Sequence, residues 1–266
     1  MQNSPIGIFD SGIGGLTIAY SLKKILPKES FIYFGDTKHL PYGEKSEKAI
    51  KHYSLKIALF LKSKNCKAIV IACNSASAVA FDHIKKNITD IPIYNVIDPV
   101  VKKITKECIS KEIGVIGTKA TIESSIYKEK IHQYCNKISV KSHPTPLLAP
   151  MIEEGFINQE ISKSIITKYL THYTLKNINS LILGCTHYPL IKNEIIKFYN
   201  NKLEVIDSSE IVSQSISKDL KKSKLIANTE KPIYHFIVSN YTKSFEKSAY
   251  FFFKESVKLE EVDIWV

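Results

Sequence analysis

Ala68-Ile-Val-Ile-Ala-Cys73-Asn-Ser-Ala-Ser77 is answered 112 positions later (185 − 73) by Ser180-Leu-Ile-Leu-Gly-Cys185-Thr-His-Tyr-Pro189. Each stretch runs mostly aliphatic residues straight into a small residue, a cysteine and a polar side chain. A continuous apolar run of this length, closed by small and polar residues, reads as a parallel strand buried on both faces. In open α/β sheets, ligands bind just beyond the carboxyl ends of such strands. Two thiols therefore arrive at two equivalent functional positions.

Upstream, Pro5-Ile-Gly-Ile-Phe9 is a short strand that enters Asp10-Ser-Gly-Ile-Gly-Gly15. The helix that follows carries Leu16, Ala19, Leu22 and Leu26 on one face. Glycines here let the backbone approach a ligand, and the helix start favours an anion. The departure from G-x-G-x-x-G and the lack of a following G-K-[ST] argue against a dinucleotide or nucleoside triphosphate site. Phe31–Phe34 is the next strand, and Pro41-Tyr42-Gly43 carries a turn signature. Ser46 opens a helix with Ile50, Tyr53, Ile57 and Leu61 inward. After the Cys73 strand, a helix from about Ser75 is expected to bury Ala76, Val79, Ala80 and Ile84. Pro92–Ile97 closes the series, and Asp98-Pro99 starts a new helix.

The pattern then begins again. Ile113-Gly-Val-Ile-Gly-Thr118 repeats Ile6-Gly-Ile-Phe-Asp-Ser11 at an offset of 107 (113 − 6). A helix from Ile122 to about Tyr134, a strand near Ser139–Ser142 and a Pro-rich loop to Pro150 follow. Next come Ile152-Glu153-Glu154-Gly155 and a helix with Ile161, Ile165 and Tyr169 in register. Leu190, Ile191, Ile195 and Phe198 make an amphipathic exit helix after the Cys185 strand. Leu203–Ile206 is a strand whose end, Asp207-Ser208-Ser209, caps a helix. A strand at Tyr234–Val238, a helix over Tyr241–Phe252 and a last strand near Val257–Trp265 complete the chain. The fold class is α/β: two duplicated, pseudo-symmetric α/β domains with mainly parallel sheets and the active site in the cleft between them. Residues 1–97 plus 208–266 are expected to form a discontinuous first domain carrying Asp10 and Cys73. Residues 98–207 form the inserted second, carrying Thr118, Glu153, Cys185 and His187.

Composition narrows the function. The 266 residues have 44% apolar and 24% charged content, as an ordinary globular protein does. No apolar run reaches membrane-spanning length, and no secretory signal opens the chain, so a cytoplasmic protein with no membrane partner is expected. The first strand begins within a few residues of the start, so regulation through an N-terminal extension is not expected. The net charge of +11 could suggest nucleic acid, but all 37 basic residues are lysines and none is arginine, the usual bidentate reader of phosphate and guanine. No nucleic-acid partner is expected. Five cysteines at wide spacing, with no C-x-x-C, form neither a disulfide framework nor a zinc knuckle. Cys66, Cys108 and Cys135 read as small apolar residues.

A strand-end thiol facing a helix start has its pKa lowered toward neutrality. Two such thiols, contributed symmetrically across a cleft, suit removal of a proton from one face of a stereocentre and delivery of another to the opposite face. Asp10 and His187 are candidate partners for Cys73 and Cys185. Three other readings stay open. One is a cysteine hydrolase using one thiol with His187 as base. Another is a zinc or sensor module with Cys73, Cys185 and His187 as ligands. The third is a non-catalytic amino-acid binder.

Asp10-Ser-Gly-Ile-Gly-Gly15, Pro41-Tyr-Gly43, Cys73-Asn-Ser-Ala-Ser77, Gly117-Thr-x-Ala-Thr121, Ile152-Glu-Glu-Gly155 and Gly184-Cys-Thr-His-Tyr-Pro-Leu190 together resemble the glutamate racemases of the aspartate/glutamate racemase family. The likeness runs from about residue 5 to about residue 210, with Ser75 standing where threonine is expected. It implies cofactor-independent interconversion of L- and D-glutamate, no metal, a homodimer, and supply of D-glutamate to bacterial peptidoglycan. By the resemblance, Cys73 deprotonates the D-isomer and Cys185 the L-isomer, helped by Asp10, His187 and Glu153. Ser11, Pro41, Tyr42, Gly43, Asn74, Ser75, Thr118, Thr121 and Thr186 would hold the substrate. Aspartate is the nearest alternative substrate.

Overall fold

The computed structural model describes residues 2–254 and 257–265. The chain runs β1 (Ile6–Asp10), α1 (Leu16–Ile25), β2 (Phe31–Gly35), α2 (Glu47–Ser63), β3 (Ala68–Ile71), α3 (Asn74–Val79), α4 (Phe81–Asn87) and β4 (Ile93–Asn95). It continues through α5 (Asp98–Thr105), β5 (Lys111–Gly117), α6 (Lys119–Glu123), α7 (Ile126–Tyr134), β6 (Ile138–Pro144), α8 (Leu148–Glu153) and α9 (Glu160–Leu170). Then come β7 (Ser180–Gly184), α10 (Lys192–Phe198), β8 (Glu204–Ile206), α11 (Ser209–Lys222), β9 (Tyr234–Val238), α12 (Lys243–Phe253) and β10 (Leu259–Glu261).

Among the described residues, ten strands make two sheets, ordered β10-β9-β2-β1-β3-β4 and β6-β5-β7-β8. All the pairings are parallel. The order β2-β1-β3-β4 thus recurs as β6-β5-β7-β8. Register repeats too: Ile6 lies opposite Ala68, and Ile113 lies opposite Ser180. Those partners are 107 (113 − 6) and 112 (180 − 68) residues apart, so the two sequence offsets are one pairing used twice. β1, β3 and β7 are buried along their whole length, as continuous aliphatic strands covered on both faces must be.

The tail adds β9 and β10 to the first sheet, β9 beside β2. The apolar interior is continuous between the sheets. One cluster joins Ile8 and Val70 to Val115 and Ile182 through Val100 of α5, Ile131 of α7 and Ile216 of α11. A second covers the outer face of the first sheet and a third that of the second. Among the described residues, no helix is long and apolar enough to cross a membrane.

Four local expectations are corrected. The helix after Cys73 is two, α3 and α4, meeting at Ala80. The helix expected from Ile122 to Tyr134 breaks at Ser124-Ser125. Ser124 donates to the Thr121 carbonyl and accepts from Ile126 N, while Ser125 turns left-handed at φ 57°. α9 buries Ser162, Ile166 and Leu170, one position on from the expected face, and Ile161 is exposed. Ser162 can take a core-facing slot because its hydroxyl is bound to the Gln159 carbonyl and to Glu194.

The fourth correction concerns cysteine. Cys108 and Cys135 are joined in a disulfide across 27 residues, leaving Cys66, Cys73 and Cys185 free. Closing a loop of that length removes denatured-state entropy worth about 3.5 kcal/mol. Reductant is therefore expected to lower the urea midpoint. Because the three free thiols are buried, alkylation of the urea-unfolded protein without reductant should label those three only, rising to all five after reduction. Five labels without reductant would show that the bond does not form.

Candidate active site

The ends of β1, β3, β5 and β7 all deliver polar side chains to one place. Ser11 follows β1, Cys73 and Asn74 follow β3, Thr118 follows β5, and Cys185, Thr186 and His187 follow β7. All of them, with Pro41, Tyr42, Gly43 and Ser75, line one small cavity of about 20 Å³. That volume holds the centre of about one water molecule. Both sulfurs sit on its wall, each from the equivalent strand of its sheet.

On the first sheet's side, Asp10 is wholly buried, and its Oδ2 accepts from Gly15 N at 2.9 Å and Gly12 N at 3.3 Å. Burial raises its carboxyl above the ordinary aspartate range, against the opposing pull of His187 and those two amides. The Cys73 sulfur lies 3.8 Å from Ser11 Oγ. The sequence predicts a lowered thiol pKa here, and the structure reverses this. Burial first, and then the negative charges of Asp10 and Cys185, push the Cys73 thiol far up, with only the Ala76 amide and the Ser11 hydroxyl acting against them. α3 is a six-residue helix and cannot offset that desolvation. Cys73 therefore holds its proton.

On the second sheet's side the groups form a relay. His187 Nδ1 is 3.5 Å from Cys185 Sγ, and its Nε2 is 2.5 Å from Glu153 Oε1. Glu153, at the end of α8, also accepts from Ile13 N at 3.2 Å, so it reaches across from one half to the glycine loop of the other. Burial works against charge on His187, but Glu153 and Cys185 outweigh it and hold the imidazole protonated well above its ordinary pKa. Close approach explains Gly12 and Gly14. A Cβ on Gly12 would stand 2.5 Å from Glu153 Oε1, and one on Gly14 would stand 2.5 Å from Thr186 Oγ1 and 2.6 Å from His187 Nδ1.

The polar groups between the thiols are neutral. Ser75, Thr118 and Thr121 form a hydroxyl triangle, with Ser75–Thr118 at 2.8 Å and Thr118–Thr121 at 3.1 Å. Thr121 stands behind the cavity wall, as do Asp10 and Glu153. Thr186 Oγ1 leans on Asp10 Oδ1 at 3.4 Å. Asn74 accepts from the Tyr127 hydroxyl on Oδ1 at 2.8 Å, while its buried Nδ2 has no partner among the described residues. The Tyr42 hydroxyl is committed elsewhere, to buried Asp36 at 2.6 Å, so Tyr42 meets the cavity with the rest of the residue. Among the described residues, no group of three or more His, Cys, Asp and Glu side chains is arranged to hold a metal ion.

The sequence profile described as Asp/Glu/Hydantoin racemase matches residues 17–216. The chain belongs to this racemase family. It is an amino-acid racemase, and its substrate is a small molecule with a stereocentre. The glutamate racemase of Aquifex pyrophilus is 45% identical over 216 residues, spanning 81% of this chain and 83% of that one. That of Chlorobium phaeobacteroides is 38% identical and covers 97% of both. A crystal structure of the Francisella tularensis glutamate racemase in complex with D-glutamate superposes with a TM-score of 0.93 at 40% identity, covering 100% of this chain and 99% of that one.

Three residues of this racemase escape a reading of the sequence. Ala149 lines the cavity from the first turn of α8, in a stretch expected to be a Pro-rich loop, where nothing but its small size marks it. Asp36 is fully buried at the end of β2, accepting from Tyr42 and, at 2.7 Å, from Ser239. The Gly35-Asp36 pair at a strand end was the available signal. Tyr127 lies inside an amphipathic helix and looks like any core aromatic.

Proposed function

We propose that this racemase interconverts L- and D-glutamate by proton transfer between Cys73 and Cys185, with no added cofactor. One observation carries the reading: two free thiols, each after the equivalent strand of a repeated sheet, share one small cavity. For L-glutamate, a Cys185 thiolate takes the α-proton. The electron pair spreads into the α-carboxylate, and the Cys73 thiol gives its proton to the opposite face. The product is the D-isomer, with the protonation of the two sulfurs exchanged, and the reverse reaction restores it. The protonated His187 compensates negative charge at Cys185 and near the reacting carbon, where no electron sink is needed if charge is met electrostatically. Asn74 Nδ2 and the hydroxyls of Ser11, Ser75, Thr118 and Thr186 suit the two carboxylates; the resemblance gives the ammonium to Asp10, which in the structure stands behind the cavity wall and reaches the site through Thr186.

Glutamate is far larger than a cavity of about 20 Å³, so the halves must part to admit it and then close to exclude water. In this reading, residues 1–97 with 208–266 move as one body and residues 98–207 as the other. The resemblance to glutamate racemases extends the proposal to a cytoplasmic homodimer that feeds D-glutamate to bacterial peptidoglycan. A hydrolase would need only Cys185, His187 and Glu153 and would leave Cys73 idle.

The test is incubation of the purified protein with each glutamate enantiomer in D₂O, following optical rotation and the α-proton signal. Racemisation with deuterium uptake from either side supports the reading, and an inert protein overturns it. The relay adds a pH prediction. Glu153→Gln removes the main group that raises His187, so the imidazolium is lost at lower pH. The alkaline limb of kcat/KM should move toward acid, and an unmoved limb would disconnect Glu153 from His187.

A further inference from the structure

The geometry points to Tyr127 as a positioning residue that sets which way the Asn74 amide faces. This rests on the reading of Asn74 as a carboxylate ligand. An amide can sit either way round with nearly the same shape, yet only Nδ2 can donate to a carboxylate. Tyr127 is 2% exposed and projects from α7, whereas Asn74 begins α3 in the other half. The phenol donates to Asn74 Oδ1 at 2.8 Å. That is the one hydrogen bond of this hydroxyl among the described residues, so turning the amide over would strand the phenolic proton in a buried place. With Oδ1 held, Nδ2 is left as a buried donor without a partner in a residue that lines the cavity. Such a donor costs free energy until a ligand accepts from it.

The contact also spans the two halves. It is made only when α7 and α3 are brought together, so the donor is oriented in the closed molecule and released when the molecule opens. Tyr127 thus links closure to substrate grip without touching the substrate.

The experiment is a double-mutant cycle on glutamate racemisation with Tyr127→Phe, Asn74→Ala and the pair, with thermal unfolding of each to confirm folding. Phenylalanine keeps the ring and its packing and removes only the hydroxyl. Tyr127→Phe is expected to raise KM about 5- to 10-fold, the worth of one neutral hydrogen bond, while kcat stays within a factor of about two. In the Asn74→Ala background the same change should leave KM unaltered, because there is no amide left to orient. Asn74→Asp keeps an acceptor for Tyr127 but offers no donor and sets a like charge against the carboxylate, so it should raise KM at least as much as Asn74→Ala does. A wild type that racemises normally, with Tyr127→Phe unchanged in KM or equally damaging in both backgrounds, overturns the positioning role alone. A wild type that leaves glutamate untouched overturns the glutamate reading and this one with it.

Discussion

Replacing either Cys73 or Cys185 by alanine is expected to cut racemisation by about 10²- to 10⁴-fold in both directions, the usual contribution of a positioned acid or base. Both directions fail together because inversion needs a base on one face and an acid on the other. Water is a poor substitute, since both cysteines are buried on the wall of a cavity with room for about one water molecule. The variants should nonetheless differ in what survives. Cys73→Ala keeps the Cys185 base and its His187 partner, and so can exchange the α-proton of L-glutamate for deuterium without inverting it. Cys185→Ala should show the mirror-image preference, more slowly, because the Cys73 thiol is held protonated by burial. The measurement is α-proton washout in D₂O for each enantiomer and each variant. A single-cysteine variant that racemises within tenfold of wild type would sink the two-thiol mechanism.

The largest expected loss of stability lies far from the cavity. Lys67, just before β3, is buried and donates to Glu29 Oε2 at 2.5 Å and to the carbonyls of Gln2 and Leu225, each at 2.7 Å. The other Glu29 oxygen accepts from Ala227 N at 2.7 Å. Glu29→Ala leaves a buried ammonium without its counter-charge and should cost about 3–5 kcal/mol. In a chain of this size that corresponds to a midpoint roughly 10 °C lower. Replacing both partners, Glu29→Met with Lys67→Met, should cost much less, since the desolvated charges disappear together. Urea unfolding of the single and double variants checks this. A single variant within 1 kcal/mol of wild type, or a double variant as damaged as the single, would show that the pair is not acting as a buried ion pair.

What could be read from the sequence follows from how structure is encoded along the chain. A strand buried on both faces writes itself as an unbroken aliphatic run, so β3 and β7 were legible, and their shared ending made the thiols legible too. The repeat of β1 in β5 supplied the second offset and with it the duplicated order. Side-chain alternatives within a helix are written less firmly. The break at Ser124-Ser125 depends on hydroxyls competing for backbone groups, and the one-position shift of α9 depends on Ser162 finding Glu194 in the fold. The Cys108–Cys135 bond joins two segment ends that only tertiary packing brings together. Glu153 lies 34 residues from His187 and carries no local sign of its role, so the family resemblance alone singled it out. The Cys73 thiol shows the opposite limit: its position was readable, but its acidity was not, because desolvation belongs to the assembled cavity.

The placement of β9 beside β2 has a consequence for the order of synthesis. The sheet that bears Cys185 is built from β5 to β8 without interruption, and it can be complete once residue 206 has emerged from the ribosome. The sheet that bears Cys73 is started first and finished last. Until β9 emerges, β2 presents a bare hydrogen-bonding edge, the kind of surface on which nascent chains pair wrongly. The middle of the polypeptide can therefore mature while the beginning waits for the end, and a ribosome stalled when β8 has emerged but β9 has not holds a chain with one sheet finished and the other still open along β2.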